Sequence, residues 1–329
     1  MMKENTLLKK RKSTLLETLM TPEISILIPL LILCVYTASV SDMFLATKNI
    51  QVIIRYTAFV GTLAIGEAFV LMSGETDLSI GCCSALTSVV FAWLIANGGM
   101  PVWLSLVITL ALGALVGAVN AFFTLVLKMN SWIVTMSTQY ICIGFATAIC
   151  KGKAISGLGE GISTFSAARP LGLSWMFFVM LAFLVVTEIV VRYTPIGRQV
   201  HSVGLSVEAA RIAGIHVNKV KALCMVFASF MGAVCGVLQC VGNVAANATV
   251  GKGNEFPAII CCVIGGVSAN GGKGSMLGVL FGVVMYQTMK NALQMLGFNS
   301  NAQLVLTGII LILAVSVDVL KTKLSRKRG

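Results

Sequence analysis

"TAFVGTLAIGEAFVLMSGETDLSIGCCSALTSVVFAWLIA", residues 57–96, holds two apolar runs parted by one short polar break. Extended to about residue 50 on one side and 97 on the other, each run has the length that a bilayer crossing needs, about 20 residues. Working outward, comparable stretches recur from Ile24 almost to Lys321, and no soluble domain fits between them. The chain is 57% hydrophobic and 11% charged, against about 25% charged in ordinary soluble domains. A chain of 329 residues with that balance cannot hide its apolar surface in one core, so lipid is the solvent for most of it. The expected fold class is all-α: a polytopic membrane protein of about ten transmembrane helices.

The spans are expected at roughly 24–45, 50–72, 78–97, 102–127, 132–150, 172–191, 217–240, 256–269, 276–297 and 303–320. The eighth is short. The first follows a lysine-rich lead and lacks a small-residue cleavage site, so it reads as a retained span. Orientation follows from Lys and Arg, which accumulate in cytoplasmic segments. Fifteen of the 24 basic residues lie in three places: the N-terminal tail (Lys3, Lys9, Lys10, Arg11, Lys12), the loop after span six (Arg192, Arg198, Arg211, Lys219, Lys221) and the C-terminal tail (Lys321, Lys323, Arg326, Lys327, Arg328). All three share one side only if the span count is even. Both termini are therefore expected in the cytoplasm, which divides the chain into a tail at 1–22, a membrane-spanning body at 23–320 with a cytoplasmic loop at about 192–221, and a tail at 321–329. Lys151, Lys153 and Arg169 strain this assignment, because it puts them outside. The formal charge of +12 then describes topology and contact with anionic membrane lipid, not nucleic acid.

"VIGGVSANGGKGSMLG", residues 263–278, looks at first like a phosphate cradle. A P-loop requires G-x-x-x-x-G-K-[ST], so that backbone amides hold phosphate while the hydroxyl holds magnesium. Val267 stands where the first glycine belongs and Gly274 where the hydroxyl belongs, so the loop is read as a cytoplasmic turn with Ser275 capping the ninth span. Lys273 is left as a cytoplasmic positive charge with no assigned contact. Gly113 with Gly117, Gly232 with Gly236, and Gly274, Gly278 and Gly282 fall in small-xxx-small register, which lets helix backbones approach closely in lipid. Packing within one subunit is the first reading and a dimer seam the second. The ten cysteines have no metal spacing and read as small buried hydrophobes. His201 and His216 sit near no metal-site or nucleophile pattern.

In the loop after span six, Ser206 can cap a short helix from about Val207 to Ala213, with Glu208 in its first turn and Gly214 closing it. Glu208 and Arg211 can pair at i,i+3, and Ala209, Ala210 and Ala213 leave a low, smooth surface. Such a helix is too short to hold itself. Either a protein partner or lipid headgroups must support it.

Glu67 falls inside span two, where a charged side chain costs at least about 2.5–3.5 kcal/mol unless protonated, paired or facing water. A water-lined path and a protonated acid bonded to a neighbouring helix are equal readings. Arg55 is twelve residues away, about 18 Å along a helix, and cannot be its partner within that helix. Asp77 precedes the next span and is an N-cap by default, with a cavity-lining break as the alternative. Glu255, before Pro257 at the start of span eight, allows the same pair of readings. Asn120, Gln139 and Asn247 could serve a sugar-sized path or pack helices through hydrogen bonds.

"LMSGETDLSIG" at 71–81, "GRQVHSVGLSVEAARIAGI" at 197–215 and "IICCVIGGVSANGGKGSMLG" at 259–278 resemble, in order and spacing, the motifs of ribose-type ABC importer permeases, from about residue 22 to 320. What the resemblance implies is a non-enzymatic permease subunit of a monosaccharide importer in a bacterial plasma (inner) membrane. Its partners would be a second permease subunit, identical or not, two cytoplasmic ATPases that bind ATP and Mg, and an extracytoplasmic solute-binding protein, with no cofactor on this chain. By the same resemblance Ser206, Glu208, Ala209, Ala210, Arg211 and Gly214 form the helix that couples to the ATPase. The family's usual Gly-Asn is here Leu205 and Ser206, its usual acid is Pro257, its usual Arg-Gly falls near Ile143 and Gly144, and its usual Thr-Gly-Gly near Lys151 to Lys153. A pentose or hexose is expected, with an autoinducer-like furanose or a nucleoside as alternatives. A proton-coupled secondary transporter using Glu67 is the rival mechanism.

Overall fold

The computed structural model describes residues 31–326, apart from residue 33 and the side chains at 313–315 and 317–326. The N-terminal tail, the start of the first expected span and the basic side chains of the C-terminal tail lie outside the described residues. Residues 34–40 are helical. The helices that follow are α1 (Thr47–Met72), α2 (Ile80–Ala96), α3 (Val102–Ala121, continued by a π-helical turn, Phe122–Val126), α4 (Ser131–Cys150), α5 (Glu160–Ala167) and α6 (Trp175–Tyr193). After them come α7 (Pro195–Leu205), α8 (Val207–Ile212), α9 (Val217–Asn243), α10 (Glu255–Ile264), α11 (Met276–Met295) and α12 (Ser300–Arg326). Among the described residues β-structure is limited to one isolated antiparallel bridge, Ile155 to Ala246.

Burial sorts these helices. In their most apolar stretches α1 and α9 are 72% and 78% buried, whereas α3, α4 and α6 are 22%, 28% and 28% buried. The first two therefore form the centre of the bundle. The other three turn apolar faces outward, which is stable only against lipid or another apolar subunit. All five are long and apolar enough to cross a membrane. α9 packs on α1, α2 and α3, and α1 also packs on α6, α10 and α11.

Close approach depends on glycine. A Cβ at Gly113 would meet the Ser229 carbonyl at 2.8 Å, and one at Gly117 the Met225 carbonyl at 2.6 Å, so α3 lies directly on the backbone of α9. Gly278 and Gly282 do the same for α11 against Gly265 and Cys261 of the α10 segment. This is packing within one subunit. Gly274 departs from the expected stripe: it lies before the cap residue Ser275, outside α11, and faces the Met72 side chain. Nine cysteines are buried and Cys34 is half-buried, all as free thiols.

The expected eighth span is corrected. α10 has ten residues, about 15 Å at 1.5 Å per residue, against about 30 Å of hydrocarbon. The chain breaks at Gly265 and not near 269. α10 starts beside Gly81, where a Cβ would strike Glu255 Oε2 and lie 2.7 Å from the Gly251 carbonyl. The first turn of α2 in turn lies on Gly232 of α9, about 22 Å from Val217 along that helix. α2 and α10 therefore both begin about halfway along the bundle, next to each other. One end of the bundle carries α7, α8 and the 265–275 loop; the far end carries 97–101, 151–174 and 296–299.

Candidate translocation and coupling sites

The break between α1 and α2 is built from polar side chains. α1 closes with Gly74 at φ +82°, whose N–H donates to Leu71 O at 2.9 Å. Asp77 Oδ1 accepts the Ser79 N–H at 2.8 Å and the Ser79 Oγ–H at 2.5 Å, and its Oδ2 accepts Ser229 Oγ–H from α9 at 3.4 Å. The cap position before α2 is taken by Ser79 and not, as expected, by Asp77; Asp77 instead closes the turn before it onto Ser79, with α9 as a further partner. The Asp77 N–H donates to Glu67 Oε1 at 3.3 Å, and the Leu78 N–H to Thr135 Oγ1 at 3.1 Å. Asn120 Nδ2 donates to Ser79 Oγ at 2.9 Å while its Oδ1 accepts Thr138 Oγ–H at 2.7 Å. Glu67, Asp77, Ser79, Asn120, Thr135 and Ser229 are all fully buried. The network supplies what irregular backbone inside a bilayer requires, protein groups in place of water. Glu67 Oε2 has no hydrogen-bond partner among the described residues. Arg55, as expected, bonds elsewhere, to Gly242 O and Asn243 Oδ1.

Glu255 and Gln139 form a second cluster. Gln139 Nε2 donates to Glu255 Oε1 at 2.9 Å, and the Gly253 N–H donates to Oε2 at 3.0 Å. Glu255 is itself buried, at 2% exposure, and Gln139 is half-buried on α4, but Lys252 and Phe256 beside Glu255 are exposed, so this pair lies just beneath the surface of the bundle. Asn247 joins neither cluster. Its Oδ1 accepts from Thr249 N–H at 2.9 Å, Thr249 Oγ–H at 2.7 Å and Val250 N–H at 3.0 Å, which fixes its own turn.

At the α7–α8 end, Ser206 Oγ accepts the Ala209 N–H at 3.2 Å, the expected cap. α8 ends at Ile212, one residue earlier than expected, and Gly214 at φ +80° closes it, with its N–H on Arg211 O and the Ile215 N–H on Ala210 O, both at 3.0 Å. Ala210 alone is buried; Ile212 is 89% exposed. The expected Glu208–Arg211 pair is absent among the described residues, where the ion pairs are Arg192–Glu188 and Lys221–Glu75. Arg211 instead lines a cavity of about 470 Å³ with Lys128, Lys221 and Glu75.

α7 was missed as a helix, although Thr194 accepting the Gly197 N–H and Pro195 in the first turn are its start signals. It lies across the end of α1 and the 265–275 loop. The Gly272 N–H donates to Met72 O at 2.9 Å, His201 Nδ1 is 3.1 Å from Gly272 O, and a Cβ on Gly204 would overlap Met72 O. The glycines at 271 and 272, at φ +87° and +78°, let the loop turn against α7. The sequence reading also missed Glu188, whose Oε2 accepts the Met276 N–H at 2.9 Å and so places an anion at the start of α11.

The larger cavity, about 700 Å³, lies between α2, α3, α5, α6 and α9 and is lined by Phe91, Leu106, Phe165, Phe183, Phe230 and other apolar residues. The Trp175 indole is the one side-chain group in that lining that can bond a sugar hydroxyl, and the cavity shares no residue with either polar cluster.

A family model described as branched-chain amino acid transport system / permease component matches residues 49–315. The chain is 32% identical to a ribose import permease protein of Bacillus subtilis (strain 168), over 88% of this chain and 90% of that one. It is 31% identical to an L-arabinose transport system permease protein of Escherichia coli (strain K12), over 81% of each chain, and 27% identical to a xylose transport system permease protein of the same strain, over 87% and 88%.

Proposed function

The chain belongs to the family of branched-chain amino acid transport system permease components, and from that premise we propose that it is the membrane subunit through which an ATP-driven importer passes a pentose. It is a multi-pass protein of the plasma (inner) membrane and a transport subunit, not an enzyme. The observation that carries the sugar is the near full-length likeness to three permeases, all named for pentoses: ribose, arabinose and xylose.

In this reading the α7–α8 end is cytoplasmic, ten crossings put both termini there, and two ATPase subunits bind ATP and Mg and dock on α8. A second permease subunit completes the path, and a solute-binding protein delivers the sugar at the far end. Gln139 and Glu255, near the bundle surface where α2 and α10 begin, offer polar groups to sugar hydroxyls, as broken helices do in other transporters. Glu67, Asp77 and Asn120 hold the break behind them. When the ATPases close on ATP they displace α8, and α7 carries that displacement to the end of α1 and to the 265–275 loop.

Reconstitution with the cognate ATPase and binding protein is expected to give pentose uptake that depends on ATP. Uptake by this chain alone, driven by a proton gradient and indifferent to ATP, would sink the proposal, and uptake restricted to hexoses would remove the pentose. Glu67→Gln keeps the acceptor for the Asp77 N–H, so ATP-driven uptake is expected to change by no more than about three-fold. A proton-coupled carrier would lose transport with that substitution. For docking, Ile212→Asp puts a charge on the most exposed apolar side chain of α8. Co-purification with the ATPase is expected to fall at least about ten-fold, the scale of an interface anchor, while insertion and thermal stability stay unchanged; undiminished co-purification removes α8 from the interface.

A further inference from the structure

Behind α8 lies the polar cavity of about 470 Å³, walled by the end of α3 (Thr124, Leu125), the α3–α4 turn (Lys128, Asn130), α8 (Arg211) and the start of α9 (Lys221). Its charge is unbalanced. Three cations and one carboxylate, Glu75, line it, and Glu75 is spent on Lys221 at 2.6 Å. Lys128 and Arg211 have no carboxylate within ion-pair reach among the described residues. A third group is also unsatisfied: Thr124, 7% exposed on the cavity wall, has a buried hydroxyl with no hydrogen-bond partner among the described residues. Two free cations, a hydroxyl and the Asn130 and Asn218 amides around one hollow match a phosphate group with its several acceptor oxygens.

We propose that this cavity binds the phosphate headgroup of an anionic phospholipid, seated between α8 and the ends of the spanning helices. Lipid is favoured over an acidic protein segment by the chain on either side of the wall residues. The residues that flank the wall in the chain, Phe122, Val126, Trp132 and Ile133, are large, apolar and half or more exposed, a surface that acyl chains can cover while the headgroup enters. Tryptophan at that level is the usual anchor at a membrane surface, and basic pockets between helix ends on the cytoplasmic side are a recognised setting for such headgroups. Because Arg211 belongs to α8, a bound lipid would tie α8 to the body of the bundle and make its position sensitive to membrane composition. Only the placement of this end in a headgroup layer is taken from the proposed function.

The retention measurement uses the full chain purified in a neutral detergent, without ATPase or sugar, so that its outcome is separate from that of the transport experiment. Native mass spectrometry with added phosphatidylglycerol or phosphatidylcholine is expected to show preferential retention of phosphatidylglycerol. Lys128 has φ +56°, a conformation that asparagine tolerates, so Lys128→Asn is the first variant. It should weaken retention about five-fold, and adding Arg211→Gln about five-fold again, one step for each cation removed. Inorganic phosphate at the lipid's concentration should not displace the lipid. Equal retention of the two lipids, full retention by the double variant, or displacement by inorganic phosphate would each overturn the proposal. So would a double variant that still retains phosphatidylglycerol yet loses ATPase binding in phosphatidylcholine nanodiscs, because the cavity would then belong to the protein partner.

Discussion

Gly204→Ala is expected to abolish uptake and to lower the melting temperature of the purified chain sharply, although it adds one methyl group. The reason is what the methyl would meet. An ideal Cβ at this position overlaps the Met72 carbonyl oxygen and crowds the Gly272 backbone N–H, which are themselves hydrogen-bonded at 2.9 Å. Both are backbone groups, so no rotamer change relieves the clash. Overpacking costs about 1–3 kcal/mol, and pulling the bonded pair apart adds about 1–3 kcal/mol more. α7 must therefore lift away from α1 and the loop, or the fold must yield. Gly144→Ala is the control: it sits in α4 with open space around its Cβ position, and its effect should stay within about 0.5 kcal/mol. Thermal unfolding in detergent and ATP-driven uptake in vesicles read the two variants side by side. Wild-type melting and uptake in Gly204→Ala would show that α7 is not locked to the end of α1 and would remove the proposed route from α8 into the bundle.

That contact explains the glycine-rich loop at 263–278, whose spacing excludes a P-loop but does not show what the glycines are for. Local signals were legible. The stretches expected at 102–127 and 132–150 appear as Val102–Val126 and Ser131–Cys150, because apolar length is a property of the segment alone. Ser206 and Ser275 cap the helices expected of them, since a cap depends on a neighbour three residues on. Partners far apart in the chain were not legible. Asp77 meets Ser229 and Gln139 meets Glu255, separated by 152 and 116 residues, and no periodicity encodes such pairs. Arg211 misled for the same reason: i,i+3 spacing permits the Glu208 pair, but the cavity made by α3 and α9 gives the guanidinium another place. α10 stops at Ile264 and not near 269 because the chain turns at Gly265 and at Gly266, which has φ +87°, and hydropathy does not register such a turn.

Asp77→Ala is the second substitution expected to be severe, and its amide counterpart decides what the residue is for. The carboxylate is fully buried and accepts two hydrogen bonds from Ser79 and one from Ser229. Alanine leaves those donors unpaired at membrane depth, where water cannot replace the acceptor. Each stranded buried donor costs about 1–3 kcal/mol, so the turn that leads into α2 should come loose and uptake should vanish with the folded protein. Asp77→Asn retains Oδ1 for the Ser79 N–H and can still bond Ser229 through its amide. If the residue serves as the support of the break, the asparagine variant should fold, lose about 1 kcal/mol and transport within a few-fold of the parent. If instead it folds with parental melting behaviour and transports nothing, the negative charge itself takes part in passage of the solute, and Asp77 belongs with Glu255 on the path and not behind it. Measuring melting and uptake on the same two preparations separates these outcomes, because the support role predicts that the two losses rise together from Asn to Ala and the path role predicts that they part at Asn.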